Sequence, residues 1–168
     1  MQRRTLFKLG VASAAVLAVA GGAATWVQAG LREGRLTESG REVFRGVGRA
    51  VLEATLPSDL TTRQVALDGL LQRIDELTLA LPPHAQEELS QLLSLLASAP
   101  GRHLMAGLSQ PWSIASGDDV RHALQGMRLS SLALRQQAYA ALHDITAAAY
   151  FTDPSTWQQL GYPGPLKI

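Results

Sequence analysis

The sequence predicts an all-α fold, a single small domain of about five helices behind an N-terminal signal or anchor segment. Three observations predict it. Beyond residue 40, apolar residues recur at three- and four-residue spacing through most of the chain. Proline and glycine interrupt that pattern at intervals suited to separate helices. No run shows convincing period-two alternation bounded by hairpin turns.

Residues 1–29 stand apart. Gln2-Arg3-Arg4-Thr5-Leu6-Phe7-Lys8 is basic, and Leu9 to Val27 holds no charged residue. A basic start, an uncharged apolar stretch and small residues beyond it are the parts of an export signal. Paired arginines directly ahead of the apolar stretch mark the twin-arginine variety, with Arg3, Arg4, Leu6, Phe7 and Lys8 carrying the motif. The motif resembles Ser/Thr-Arg-Arg-x-Phe-Leu-Lys, departing at Gln2 and in the order Leu6-Phe7. A transmembrane anchor is the other reading: nineteen uncharged residues at helical rise reach about 28 Å, close to a bilayer core. Gly21-Gly22 weakens a helix there. An uncleaved signal that also anchors satisfies both, and small-residue cleavage sites follow both Ala20 and Ala29. The expected working place is the periplasm or the periplasmic face of the inner membrane.

Of 168 residues, 139 follow position 29, enough for one modest domain. Net charge is +1 overall, but Arg3, Arg4 and Lys8 lie in the leading segment. The rest carries 12 basic and 14 acidic residues, a balance of −2. That is not a nucleic-acid-binding balance, and no basic patch with interleaved aromatics occurs. The absence of cysteine excludes disulfides, thiolate nucleophiles, cysteine-ligated iron–sulfur clusters and covalent c-type haem attachment.

Residues 30–40, with three glycines and mixed charges, read as a linker to a helical domain over 41–168. Val43, Val47, Val51, Leu52 and Leu56 give the first helix its apolar face, and Pro57 is expected to end it. Ser58 or Thr61 can cap a second helix from about Thr62 to Leu81, stopped by Pro82-Pro83. A third runs from about His84 to Ala97, broken by Pro100-Gly101. Residues 102–117 are less regular. Ser116 or Asp118 can cap a short helix through Gly126, and the last long helix spans about Ser130 to Tyr150. Asp153-Pro154 opens an N-cap and turn. Gly161-Tyr162-Pro163-Gly164-Pro165 then closes the chain irregularly.

Catalytic patterns are sparse. His84, His103, His122 and His143 form no His-x3-His or Glu-x2-His pair. His143 and Asp144 are neighbours, so they are expected to point apart on a helix. Asp75-Glu76, Glu87-Glu88 and Asp118-Asp119 are adjacent pairs that do not converge, and acids in first helical turns complement the dipole. No Gly-x-Ser-x-Gly, P-loop or dinucleotide glycine motif occurs. No catalytic, cofactor-binding or metal-ligating residue is therefore assigned.

The C-terminal segment is different. Tyr150, Phe151, Trp157 and Tyr162 place four of nine aromatics within thirteen residues, followed by Pro163 and Pro165. Such a segment can lie back over the helical core or dock in a groove on a partner, because rigid aromatics make good interface anchors. These six residues are the candidate partner-binding set.

Three segments together resemble the small-subunit family named for gluconate 2-dehydrogenase subunit 3. They are the twin-arginine start, Val43 to Leu52, and Ala138 to Pro165, the last including Ala148-Ala149-Tyr150-Phe151-Thr152-Asp153-Pro154 and Trp157. The resemblance implies a non-catalytic gamma-type subunit beside a large flavoprotein of the glucose–methanol–choline oxidoreductase type. A cytochrome c subunit often completes such complexes. FAD and the chemistry are then expected in the large subunit. The small one lends its twin-arginine signal, through the twin-arginine translocase, to a partner that folds around FAD in the cytoplasm. A free-standing periplasmic helical binding or structural protein, tethered to the membrane, is the alternative.

Overall fold

The computed structural model describes residues 28–157 and 161–164. In chain order its elements are β1 (Leu31–Arg32), β2 (Arg35–Leu36), α1 (Glu38–Val51), α2 (Leu60–Leu79) and α3 (Pro83–Ala97). A helical turn Ala99–Gly101 and a π-helical turn Arg102–Ala106 follow, then α4 (Gly117–Arg128), α5 (Ala133–Phe151) and a 3-10 turn Pro154–Thr156. The domain is all-α, as the spacing of apolar residues predicts. Among the described residues, no helix is long and apolar enough to cross a membrane.

Helix α1 is the centre of the bundle and packs against the other four long helices. Its sequence allows this on all sides. Val43, Phe44 and Val47 are fully buried, each such side chain stabilising the fold by roughly 1.5–3 kcal/mol. Gly46 and Gly48 let neighbours close in: Trp112 covers the first, and Leu70 and Leu67 cover the second. Trp112 is 1% exposed, and its indole N–H donates to the Leu96 carbonyl at 2.8 Å. The Arg49 guanidinium donates to the carbonyls of Trp112 (2.7 Å) and Ala115 (3.3 Å), tying α1 to the 107–116 connection. Burial first, and Arg45 second, depress the Arg49 pKa.

Residues 30–40 are not a linker. They form the β1–β2 hairpin, its Cα partners Leu31–Leu36 and Arg32–Arg35, and then enter α1. Glu33 (φ 52°) and Gly34 (φ 76°) are both left-handed, the two-residue turn whose twist suits a tight hairpin. Strands of two residues are too short to register as alternation. The hairpin is held from two sides. Asp75 of α2 accepts the Leu36 N–H at 2.8 Å and pairs with Arg41, while the Thr78 hydroxyl donates to the Gly34 carbonyl at 2.7 Å. From α3, Ser94 Oγ and Ser90 Oγ accept the N–H groups of Gly30 (2.9 Å) and Leu31 (3.0 Å).

Helix ends differ from expectation for local reasons. Thr37 caps α1, so Glu38 to Gly40 are helical. The same helix stops at Val51, before Pro57, because the Thr55 N–H (2.8 Å) and hydroxyl (2.9 Å) both donate to the Leu52 carbonyl. Asp59, rather than Ser58 or Thr61, caps α2 by accepting the Thr62 N–H and hydroxyl, each at 2.8 Å. Pro83 sits at the first position of α3, where its missing N–H costs nothing. Ser116 and Asp119 form a reciprocal capping box at the start of α4.

Candidate partner-binding site

Helix α5 delivers the aromatic segment, and Arg73 of α2 fixes where it leaves. Arg73 Nε donates to the Ala149 carbonyl at 2.9 Å, and its guanidinium pairs with Asp153 at 3.1 Å. One side chain thus holds both the last turn of α5 and the second residue beyond it. The Asp153 carboxylate also accepts the Ser155 hydroxyl (2.7 Å) and N–H (2.9 Å), which caps the 3-10 turn. These Ser155 bonds, with a smaller part from Arg73, hold the Asp153 pKa below the usual carboxylate value.

Beyond that clamp the chain curls around Trp157. The indole N–H donates to the Phe151 carbonyl at 2.8 Å, and the Tyr162 N–H donates to the Trp157 carbonyl at 3.0 Å. The Trp157 and Tyr162 rings meet edge to face, centroids 5.4 Å apart. Gly164 backs onto the same indole, where an added Cβ would lie 3.3 Å from the ring.

The six candidate residues therefore separate. Tyr150 is turned into the core at 7% exposed, so it packs rather than presents. Trp157 is half-buried and is the hub that Phe151 and Tyr162 share. Phe151 and Tyr162 stand 44% and 49% exposed, with Pro163 exposed beside them. Pro165 and the residues expected to carry a signal, Arg3, Arg4, Leu6, Phe7 and Lys8, lie outside the described residues. Two half-exposed rings on a braced scaffold offer apolar area whose ordering cost is already partly met, which favours association. The sequence pattern located the cluster but missed Arg73. Its one sign there is a basic residue beside Leu70, Leu71 and Ile74, all buried in α2.

The other polar residues stay dispersed. Asp75 is buried beside Arg41, while its neighbour Glu76 faces solvent. Asp118 and Glu53 both pair with Arg121, and Asp119 serves the capping box. His143 and Asp144 do meet, at 3.0 Å, contrary to the expectation from adjacency. The His143 ring also stacks on Tyr139. Among the described residues, no group of three or more His, Asp or Glu could hold a metal ion.

Compared with family models, curated proteins and solved structures, the chain matches none of them.

Proposed function

We propose that the chain is a non-catalytic small subunit and twin-arginine export escort of a periplasmic, FAD-dependent dehydrogenase of the glucose–methanol–choline type, acting on a sugar or alcohol. The observation that carries this is the braced aromatic segment, in which Arg73 and Trp157 hold Phe151 and Tyr162 outward. Support also comes from the Arg3-Arg4 motif and from the resemblance over Val43–Leu52 and Ala138–Pro165. A folded flavoprotein without its own signal needs an escort that binds it before export and carries the address. Co-expressed with a large flavoprotein of that type from the same genome, the chain is expected to co-purify with that protein and its flavin absorbance. A Phe151→Ser/Tyr162→Ser variant that retains full association would count against this interface.

A second reading, a free-standing periplasmic helical protein tethered to the membrane, is favoured by one observation. The Trp157 N–H and the Tyr162 ring already find partners within the segment itself. It predicts a stable monomer that never co-purifies with flavin.

A further inference from the structure

Of the two small-residue cleavage sites in the sequence, the one after Ala29 falls within the described residues, and the fold bears on it directly. Hydrolysis there adds water across the Ala29 carbonyl and the Gly30 nitrogen. A peptidase must reach both groups: donors stabilise the carbonyl oxygen as it becomes an oxyanion, and an acid protonates the leaving nitrogen. Both groups are already engaged. The Ala29 carbonyl accepts the Thr37 hydroxyl at 2.6 Å and the Ser39 hydroxyl at 3.4 Å. The Gly30 N–H donates to Ser94 Oγ of α3 at 2.9 Å.

Space is closed on the Gly30 side too. Gly30 is buried, and an added Cβ would lie 2.3 Å from Leu93 Cβ and 2.7 Å from the Ser90 carbonyl oxygen. A position with no room for a methyl group has none for the wall of an active site. The residues that follow are held as firmly. The Gly30 carbonyl accepts the Thr37 N–H at 3.0 Å, and the Leu31 N–H donates to Ser90 Oγ at 3.0 Å. Leu31 is 7% exposed and pairs with Leu36 across the hairpin. An enzyme that binds an extended segment uses that segment's own N–H and C=O groups. Freeing them here means lifting the start of β1 off α3.

We propose that the folded domain shields the Ala29–Gly30 bond from signal peptidase, so that the apolar stretch Leu9–Val27 is not removed at this site. A chain that folds before export reaches the peptidase with the site closed, and a stretch cut nowhere else stays attached as a tether. That cellular consequence rests on the twin-arginine reading; the shielding itself does not.

The test incubates the folded full chain in detergent micelles with purified bacterial signal peptidase, beside a synthetic peptide of residues 18–36 in the same micelles. Mass spectrometry reads the products. The peptide is expected to be cut after Ala29, and the full chain at that bond at least about a hundredfold more slowly, because cleavage tracks the locally opened fraction. Ser90→Ala/Ser94→Ala removes the two α3 acceptors and should speed cutting after Ala29 by about fivefold or more, with the helical circular dichroism unchanged. A full chain cut only upstream, with Ala29–Gly30 intact, supports the shielding, since the enzyme is then active on the folded chain. Cutting of the full chain after Ala29 at the peptide's rate would overturn it. A peptide left whole after Ala29 would overturn it as well, because the sequence and not the fold would then withhold the site. An unchanged rate in the double-serine variant would overturn the role of docking on α3.

Discussion

At Asp75 one buried carboxylate joins three elements. It belongs to α2, accepts the Leu36 N–H from the hairpin and pairs with Arg41 of α1. Asp75→Ala leaves a buried N–H and a guanidinium without their acceptor, so a loss of about 3 kcal/mol is expected in urea denaturation. Asp75→Asn keeps an acceptor for Leu36 and should lose less. A change within about 0.5 kcal/mol for Asp75→Ala, typical of a surface substitution, would contradict the assigned role. Asp153 sets a different test. Its pKa is depressed in the folded chain by Ser155 and then Arg73. Its contribution is therefore complete above the unfolded value near ~3.9 and is lost as pH falls through the lower folded value. The aromatic segment should let go only below about pH 4, seen in the Trp157 indole NMR signal. Release between pH 5 and 7 would point to a histidine instead. Asp153 was legible as a cap from Asp153-Pro154. Asp75 was legible only as an acid on a helix, because its partners lie 34 and 39 positions away.

The glycines of the helices separate propensity from packing. Alanine in place of a helical glycine ordinarily gains about 1 kcal/mol. In α1, a methyl at Gly40 would run into the Gly30 carbonyl, a backbone group held by the Thr37 N–H at 3.0 Å. Gly40→Ala should therefore destabilise by about 1–3 kcal/mol despite its better propensity. In α2, a methyl at Gly69 meets only the tip of Arg73, at 3.4 Å. Gly69→Ala should stabilise by about 0.5–1 kcal/mol. Thermal melts of the two variants must move in opposite directions, and equal signs would sink the packing account. The same physics explains what the sequence concealed. The long helices were readable from apolar spacing and proline breaks. The hairpin was not, since its strands are two residues each and its bonds go to α2 and α3 side chains. Glu38-Ser39-Gly40 has a turn-like composition, yet Gly40 is there for the close approach of Gly30.

Across the whole molecule, the density of aromatics near the C-terminus was visible in the sequence, but their division of labour was not. Tyr150 and Phe151 are neighbours, and only the angle of α5 against the core decides that one is buried and the other half-exposed. Since Phe151 and Tyr162 contribute little to the core, Phe151→Ser/Tyr162→Ser should leave the melting temperature nearly unchanged. It should weaken association with the proposed flavoprotein partner by at least about tenfold, as loss of aromatic anchors does. Trp157→Ala should impair both, because the indole organises its neighbours. Pull-down and melting data on the three chains separate these roles.

The central claim is that the chain lends its export signal to a folded flavoenzyme. The most direct measurement is the periplasmic share of the large FAD subunit in cells with this chain, without it, and with Arg3-Arg4 changed to Lys-Lys. The account predicts flavoprotein in the periplasm only with the unaltered chain, and both proteins in the cytoplasm with the Lys-Lys variant. Normal export of the flavoprotein in cells lacking this chain would contradict it.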